Sequence, residues 1–173
     1  MTEILDRSLN TLRSTPPIIE ALVSRLTPDE LCRKPSDERW SVSEILVHLR
    51  HVEERNLGLR VRRMCREDQP LFVDYDQTVE YRKGTYSGIS GEQALREFKK
   101  TRNDSLTFLE GLKAADLSRE AMHHEVGIVT VIQILSLWAF HDLSHIRQIA
   151  ELVKAISFWR GMGSLQKYYS VAP

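Results

Sequence analysis

The chain has 173 residues, of which 42% are hydrophobic and 28% charged, and its 24 Lys and Arg balance its 24 Asp and Glu. That length suits a single domain over residues 1–173 with a sizeable core. A formal net charge of zero gives no general basic surface for nucleic acid. The longest apolar stretch, around Ile128–Phe140, is interrupted by Gln133 and Ser136 and is too short to span a bilayer. The N-terminal MTEILDRSLNTLRST lacks the uncharged apolar core of a signal peptide, so a cytoplasmic protein with no membrane partner is expected.

In chain order, the first helical pattern runs from Thr2 to about Leu26 through Leu5, Leu9, Leu12, Ile19 and Leu22. Pro16–Pro17 should break or kink it, with Thr15 capping a second segment, because neither proline can donate an intrahelical bond. A polar connection follows, with room for one helical turn after Thr27. Ser41-Val42-Ser43-Glu44 reads as a capping box that opens a helix expected to reach about Cys65. Arg60, Arg62, Arg63 and Arg66 fall on this pattern and read as a solvated face. Residues 69–91 show no sustained period and are expected to form a long crossing loop, with Phe72, Tyr75, Tyr81 and Tyr86 available to wall a pocket. Ser90 to Gln93 opens another helix, ending near Gly111. Val126 to Val131 is β-branched and could be briefly extended. The last long helix opens at Thr130, with Gln133 three residues on, and runs to about Ile156. The predicted fold is all-α, a four-helix bundle with long connections.

Cys32 and Cys65 have no CxxC partner, so each is expected to be a small buried or half-buried side chain outside any disulfide. The chemistry lies instead in the six histidines. His141 and His145 are four apart on the last helix and so project from one face, the spacing by which one helix offers two imidazoles to one metal. By spacing alone the pair is little better than chance. Leu137, Phe140, Leu143 and Ile146 around it are expected to face the core, and buried imidazoles need partners for both ring nitrogens. His48 shares a stripe with Ile45, Leu49 and Val52 and can supply a third ligand from a facing helix. His51, one turn on among charged neighbours, is the alternative. Three imidazoles around one divalent ion leave a coordination position open, the pattern of catalytic rather than structural sites. Gln148 shares the stripe of the pair and can line the site or cap the core. Asp142 can orient an imidazole or face outward into a surface ion pair. His123 and His124 precede a Gly-containing turn and are expected to be exposed. The residue between the pair is not the Glu of an HEXXH signature, and no nucleophile elbow or phosphate loop is present.

Two segments, KPSDERWSVSEILVHLRHVEE and GIVTVIQILSLWAFHDLSHIRQI, resemble the DinB-like (DinB/YfiT-like) superfamily of metalloenzyme-type proteins, with agreement over roughly residues 3–155. The resemblance implies a four-helix bundle, a homodimer, and a zinc- or nickel-type ion held by His48, His141 and His145. It also implies activation of a low-molecular-weight thiol or of water for transfer to a small electrophile, in a thiol S-transferase or a hydrolase-like enzyme. The other reading is a non-catalytic, metal-binding or stress-related dimer with a vestigial site. Imidazole donors by themselves suit zinc, nickel, copper and iron alike.

Overall fold

The computed structural model describes residues 2–169. Helix α1 runs from Thr2 to Val23 without interruption, so the expected break at Pro16–Pro17 is overturned. The reason lies far away in sequence. Pro16 cannot donate to the Leu12 carbonyl, but that oxygen accepts a bond from Arg102 Nη1 at 2.8 Å. Pro17 leaves the carbonyl of Arg13, an exposed residue, where water can serve. Thr15 caps nothing; its hydroxyl donates back to the Thr11 carbonyl at 2.9 Å.

Thr27 opens the single-turn helix α2 (Pro28–Cys32) with a reciprocal capping box to Glu30. Ser41 opens α3 (Val42–Arg55) as expected: its N–H donates to Glu44 Oε2 at 2.8 Å and its Oγ accepts from the Glu44 N–H at 3.2 Å. The helix expected to reach Cys65 is in fact two. Asn56 leaves helical geometry (φ −130°, ψ −94°), and α4 spans Leu57–Arg66. Gly58 permits this offset, since a β-carbon there would collide with the Glu53 carbonyl oxygen and press on the Trp138 ring. The arginine face of α4 is not simply solvated. Arg60 is buried over the Phe72 ring and donates to the Val73 carbonyl at 2.6 Å, while Arg62 lies over Phe108.

Residues 69–91 carry more order than a crossing loop. They contain a short strand β1 (Leu71–Phe72) and the helix α5 (Gln77–Arg82), whose first amides are capped by Asp76 Oδ1. Ser90 caps α6 (Gly91–Glu110). Gly91 lets this helix start against α2 and α3, because a β-carbon would stand 2.7 Å from Ser43 Oγ and 2.8 Å from Leu31 Cβ. A hairpin of β2 (Glu120–His123) and β3 (Gly127–Thr130) follows, antiparallel with Met122 opposite Ile128, and β1 adds to its edge in parallel. The extended reading of the β-branched run is thus correct as far as Thr130. Helix α7 spans Val131–Phe158, with Gln133 Oε1 accepting from the Thr130 N–H at 2.8 Å. A 3₁₀ segment, Arg160–Tyr168, closes the described chain.

The architecture is a four-helix bundle in which α1 lies along α7 and α3 along α6. Its apolar core comes in two parts. Leu12, Val52, Leu109, Ile134, Leu135 and Trp138 belong to one, and Ile19, Ile45, Leu49, Phe98, Ile149 and Leu152 to the other. Between them is a polar layer. There the guanidinium of Arg102 on α6 is 1% exposed and reaches all three other helices: Leu12 O on α1, Glu53 on α3 (Nε–Oε2 2.9 Å) and Asp142 on α7 (2.6 and 3.2 Å). Cys32 is exposed rather than buried, and Cys65 is half-buried. Among the described residues no helix is long and apolar enough to cross a membrane.

Candidate metal centre

The same polar layer continues on the other side of α3 and α7 as a cluster of histidines. His48 on α3 is completely buried, and its Nε2 lies 3.1 Å from Nε2 of His141 on α7. His145, one turn along, brings its Nε2 to 3.2 Å from the same atom of His141. One nitrogen from each ring therefore converges on a common point, all within 4.8 Å of one another. Nitrogens bound to one ion at about 2.0–2.1 Å in a tetrahedral arrangement stand roughly 3.3 Å apart. The donor type and the spacing both fit a divalent cation.

Protonation points the same way. Burial, followed by the neighbouring imidazoles, depresses His48 to about 2. Burial and His145 depress His141 to about 4, and burial lowers His145 while Gln148 opposes it. All three rings are therefore neutral near pH 7. Gln148 Oε1 accepts from His145 Nδ1 at 2.9 Å, which fixes the proton on Nδ1 and leaves the Nε2 lone pair facing the cluster. Nδ1 of His48 and Nδ1 of His141 are buried without a protein partner, so packing rather than hydrogen bonding orients those two rings.

The packing is aromatic. Trp40, just before the Ser41 cap, has its ring centroid 4.8 Å from His48 and lies parallel to His145 at 6.3 Å. Tyr86 meets His48 edge-on at 5.2 Å. Tyr86 is held in turn by Tyr75 (OH to OH 2.7 Å), which bonds Nδ1 of His51 at 2.6 Å. His51 thus lies outside the converging set but supports its wall. Tyr81 stacks on Trp40 at 5.5 Å. Burial raises the hydroxyls of Tyr75 and Tyr86, which keeps both as neutral partners. None of the four aromatics expected to wall a pocket lines either cavity beside α7: Tyr81 and Tyr86 pack around the histidines, Tyr75 holds Tyr86, and Phe72 enters the opposite core. The role of Trp40 escapes sequence reading, although an apolar residue just ahead of a cap is a known packing position. Tyr86 lies in a stretch without period, which marks it only as one of four available aromatics and does not direct it to His48.

Two readings of α7 are corrected. Leu137, Phe140 and Leu143 are 47%, 71% and 53% exposed rather than facing the core. The buried stripe is Trp138, Asp142, Ile149 and Leu152, with polar Asp142 at its centre. Asp142 neither orients an imidazole nor forms a surface pair; it is fully buried against Arg102. Gln148, by contrast, lines the cluster. His124 is exposed as expected, but His123 is half-buried, and both stand beside Asp74 at 3.1 and 3.8 Å respectively.

Comparison with known proteins decides the family. The family model of the DinB superfamily matches residues 11–149. The chain belongs to the DinB superfamily. It is 27% identical over 144 residues to the "Uncharacterized protein YuaE" of Bacillus subtilis (strain 168), a match covering 76% of this chain and 88% of that one. It is 21% identical over 151 residues to the "Putative metal-dependent hydrolase OB0782" of Oceanobacillus iheyensis, covering 87% of each. Among solved structures it resembles YfiT from Bacillus subtilis, described as "a probable metal-dependent hydrolase with an unusual four-helix bundle topology". The TM-score is 0.75 at 22% identity, over 94% of this chain and 90% of YfiT. That likeness concerns the fold.

Proposed function

We propose that His48, His141 and His145 bind one divalent metal ion, of zinc or nickel type, and that this DinB-superfamily protein is a metal-dependent enzyme acting on a small electrophile. The observation that carries the reading is the convergence of three Nε2 atoms from neutral rings, His48 buried and His141 and His145 half-buried, with His145 held in register by Gln148. A divalent ion there supplies Lewis-acid activation of water or of a low-molecular-weight thiol as the nucleophile near neutral pH. The hydrolase names of two relatives favour water. The chain's own part is to hold the donors rigid and dry. Trp40 and Tyr86 clamp the His48 ring, whose Nδ1 has no hydrogen-bond partner to fix it. The Tyr75–His51 bond clamps Tyr86 in turn.

Elemental analysis of the purified full chain is the first test, with one metal equivalent expected for wild type and near none for His48→Ala or His141→Ala. Turnover comes second, assayed with water and with several thiols against small electrophiles. Metal-loaded protein no faster than His48→Ala in every assay would remove the enzyme and leave a metal-binding protein. Self-association belongs to the same proposal, and the exposed Leu137, Phe140 and Leu143 of α7 support it. Sedimentation that returns the 20.0 kDa monomer would refute it.

A further inference from the structure

Two cavities open beside α7, and they differ in what they reach. One, about 530 Å³, lies between α2 and the end of α7, and none of the three histidines lines it. The other, about 740 Å³, is lined by His145 and Gln148 themselves, with Arg39 from the α2–α3 connection, Arg147, and the apolar Trp159 and Met162. Its size falls in the usual range of small-molecule sites, about 300–1,000 Å³.

Its wall carries both signs of charge, Arg39, Arg147 and Lys154 with Glu151. Lys154 on the rim is engaged by Glu151. Arg39 and Arg147 have no carboxylate partner among the described residues. Gln148 spends its Oε1 on His145 and keeps both Nε2 hydrogens free of any protein acceptor among the described residues. Three donor groups without an acceptor thus face a cleft whose remaining wall is largely apolar. A guanidinium is a planar fork that matches a carboxylate or phosphate through two parallel bonds.

We infer that this cleft binds a small organic anion, an apolar body ending in a carboxylate or phosphate, with Arg39, Arg147 and the Gln148 amide on the anionic end. The apolar body lies against Trp159 and Met162. The inference deepens the proposed function, since it places a substrate-binding cleft against the His145 edge of the metal centre, and it rests on that reading for its link to catalysis. The anion site itself rests only on the cleft.

Ligand-observed NMR titration of the metal-loaded full chain tests it, with 4-phenylbutyrate, phenyl phosphate and the neutral 4-phenylbutyramide as probes. At least one anion should bind about tenfold or more tightly than the amide, the worth of one charged hydrogen-bond set. That preference should vanish in R39Q/R147Q and survive in R39K/R147K, with metal content unchanged in both. Equal binding of anions and amide, no binding of any probe, or an undiminished preference in R39Q/R147Q overturns the inference. The same titration on His48→Ala separates the two readings, because His48 does not line the cleft. An anion preference retained there with metal lost leaves the cleft standing and the metal centre apart from it. Stoichiometric metal in wild type without any anion preference removes the cleft alone.

Discussion

Two buried polar clusters share the middle of this bundle and differ in how they are satisfied. Glu53, Arg102 and Asp142 form one, His48, His141 and His145 the other, with His141 and Asp142 adjacent in the chain. In the first, every charged group has an opposite charge within hydrogen-bond distance. Burial by itself lowers the Arg102 guanidinium, but Asp142 and Glu53 outweigh it and hold the charge firmly. Burial pushes Glu53 up to about 7 against the pull of Arg102. Glu53 Oε1 alone of that ion network has no hydrogen-bond partner among the described residues. In the second cluster the nitrogens face one another, and among the described residues the only partner outside the rings is Gln148. A convergence of three ring nitrogens at this spacing suits a cation.

The contrast can be broken in order of effect. Arg102→Leu should hurt most, because it strands two buried carboxylates and the Leu12 carbonyl together. A loss of about 3–5 kcal/mol in chemical denaturation is expected, the cost of removing one partner from a buried pair. A loss below about 1 kcal/mol would show that the network is not paired as described. His48→Ala should leave the apoprotein folded and abolish the stabilisation that saturating metal gives. That stabilisation is about 2.7 kcal/mol at a hundredfold excess over Kd and is read as the change in Tm with and without metal. Metal stabilisation that persists in the variant would place the ion elsewhere.

Gln148→Ala should weaken metal binding by about 10–100-fold with little effect on the apo fold, since it frees the His145 tautomer without removing a ligand. Competition with a chelator measures this. Separate from that order is the pH dependence of apoprotein stability. His141 falls from its ordinary value to about 4 in the fold, and His48 lower still, so the unfolded chain binds more protons below about pH 6.5. Stability conferred by the neutral rings is therefore full above that pH. It declines as the pH drops from 6.5 towards 4, by up to about 1.4 kcal/mol per unit for each ring. Denaturant midpoints across that window should fall for wild type, the rings outweighing Glu53, whose raised pKa of about 7 acts with the opposite sign, and should rise for a variant lacking His48 and His141. A wild-type profile flat over that range would mean that the rings are not buried as described.

Local signals in the sequence were reliable where a side chain acts on its own neighbours. The Ser41–Glu44 box, the Thr130–Gln133 start and the i, i+4 pair of His141 and His145 need only a few residues to be recognised, and each is present. His48 could be placed inward by its stripe for the same reason. The continuity of α1 through two prolines could not be read, because the donor that replaces the missing bond is 90 residues away. Neither could the break at Asn56, which depends on Gly58 passing beneath Glu53 and Trp138.

Fold class and the capped helix starts at Ser41, Ser90 and Thr130 are thus properties of the sequence by itself, since periodicity and capping are short-range physics. The choice of His48 over His51 beside the α7 pair came with the family resemblance. Which face of α7 is buried was decided only by tertiary structure. Leu137, Phe140 and Leu143 are more apolar than Asp142, yet Asp142 is the residue inside. A buried carboxylate is tolerable only where a guanidinium from another helix meets it. The same is true of the wall around the histidines, which Trp40, Tyr81 and Tyr86 build from connections without period, because only the packed bundle brings those segments together.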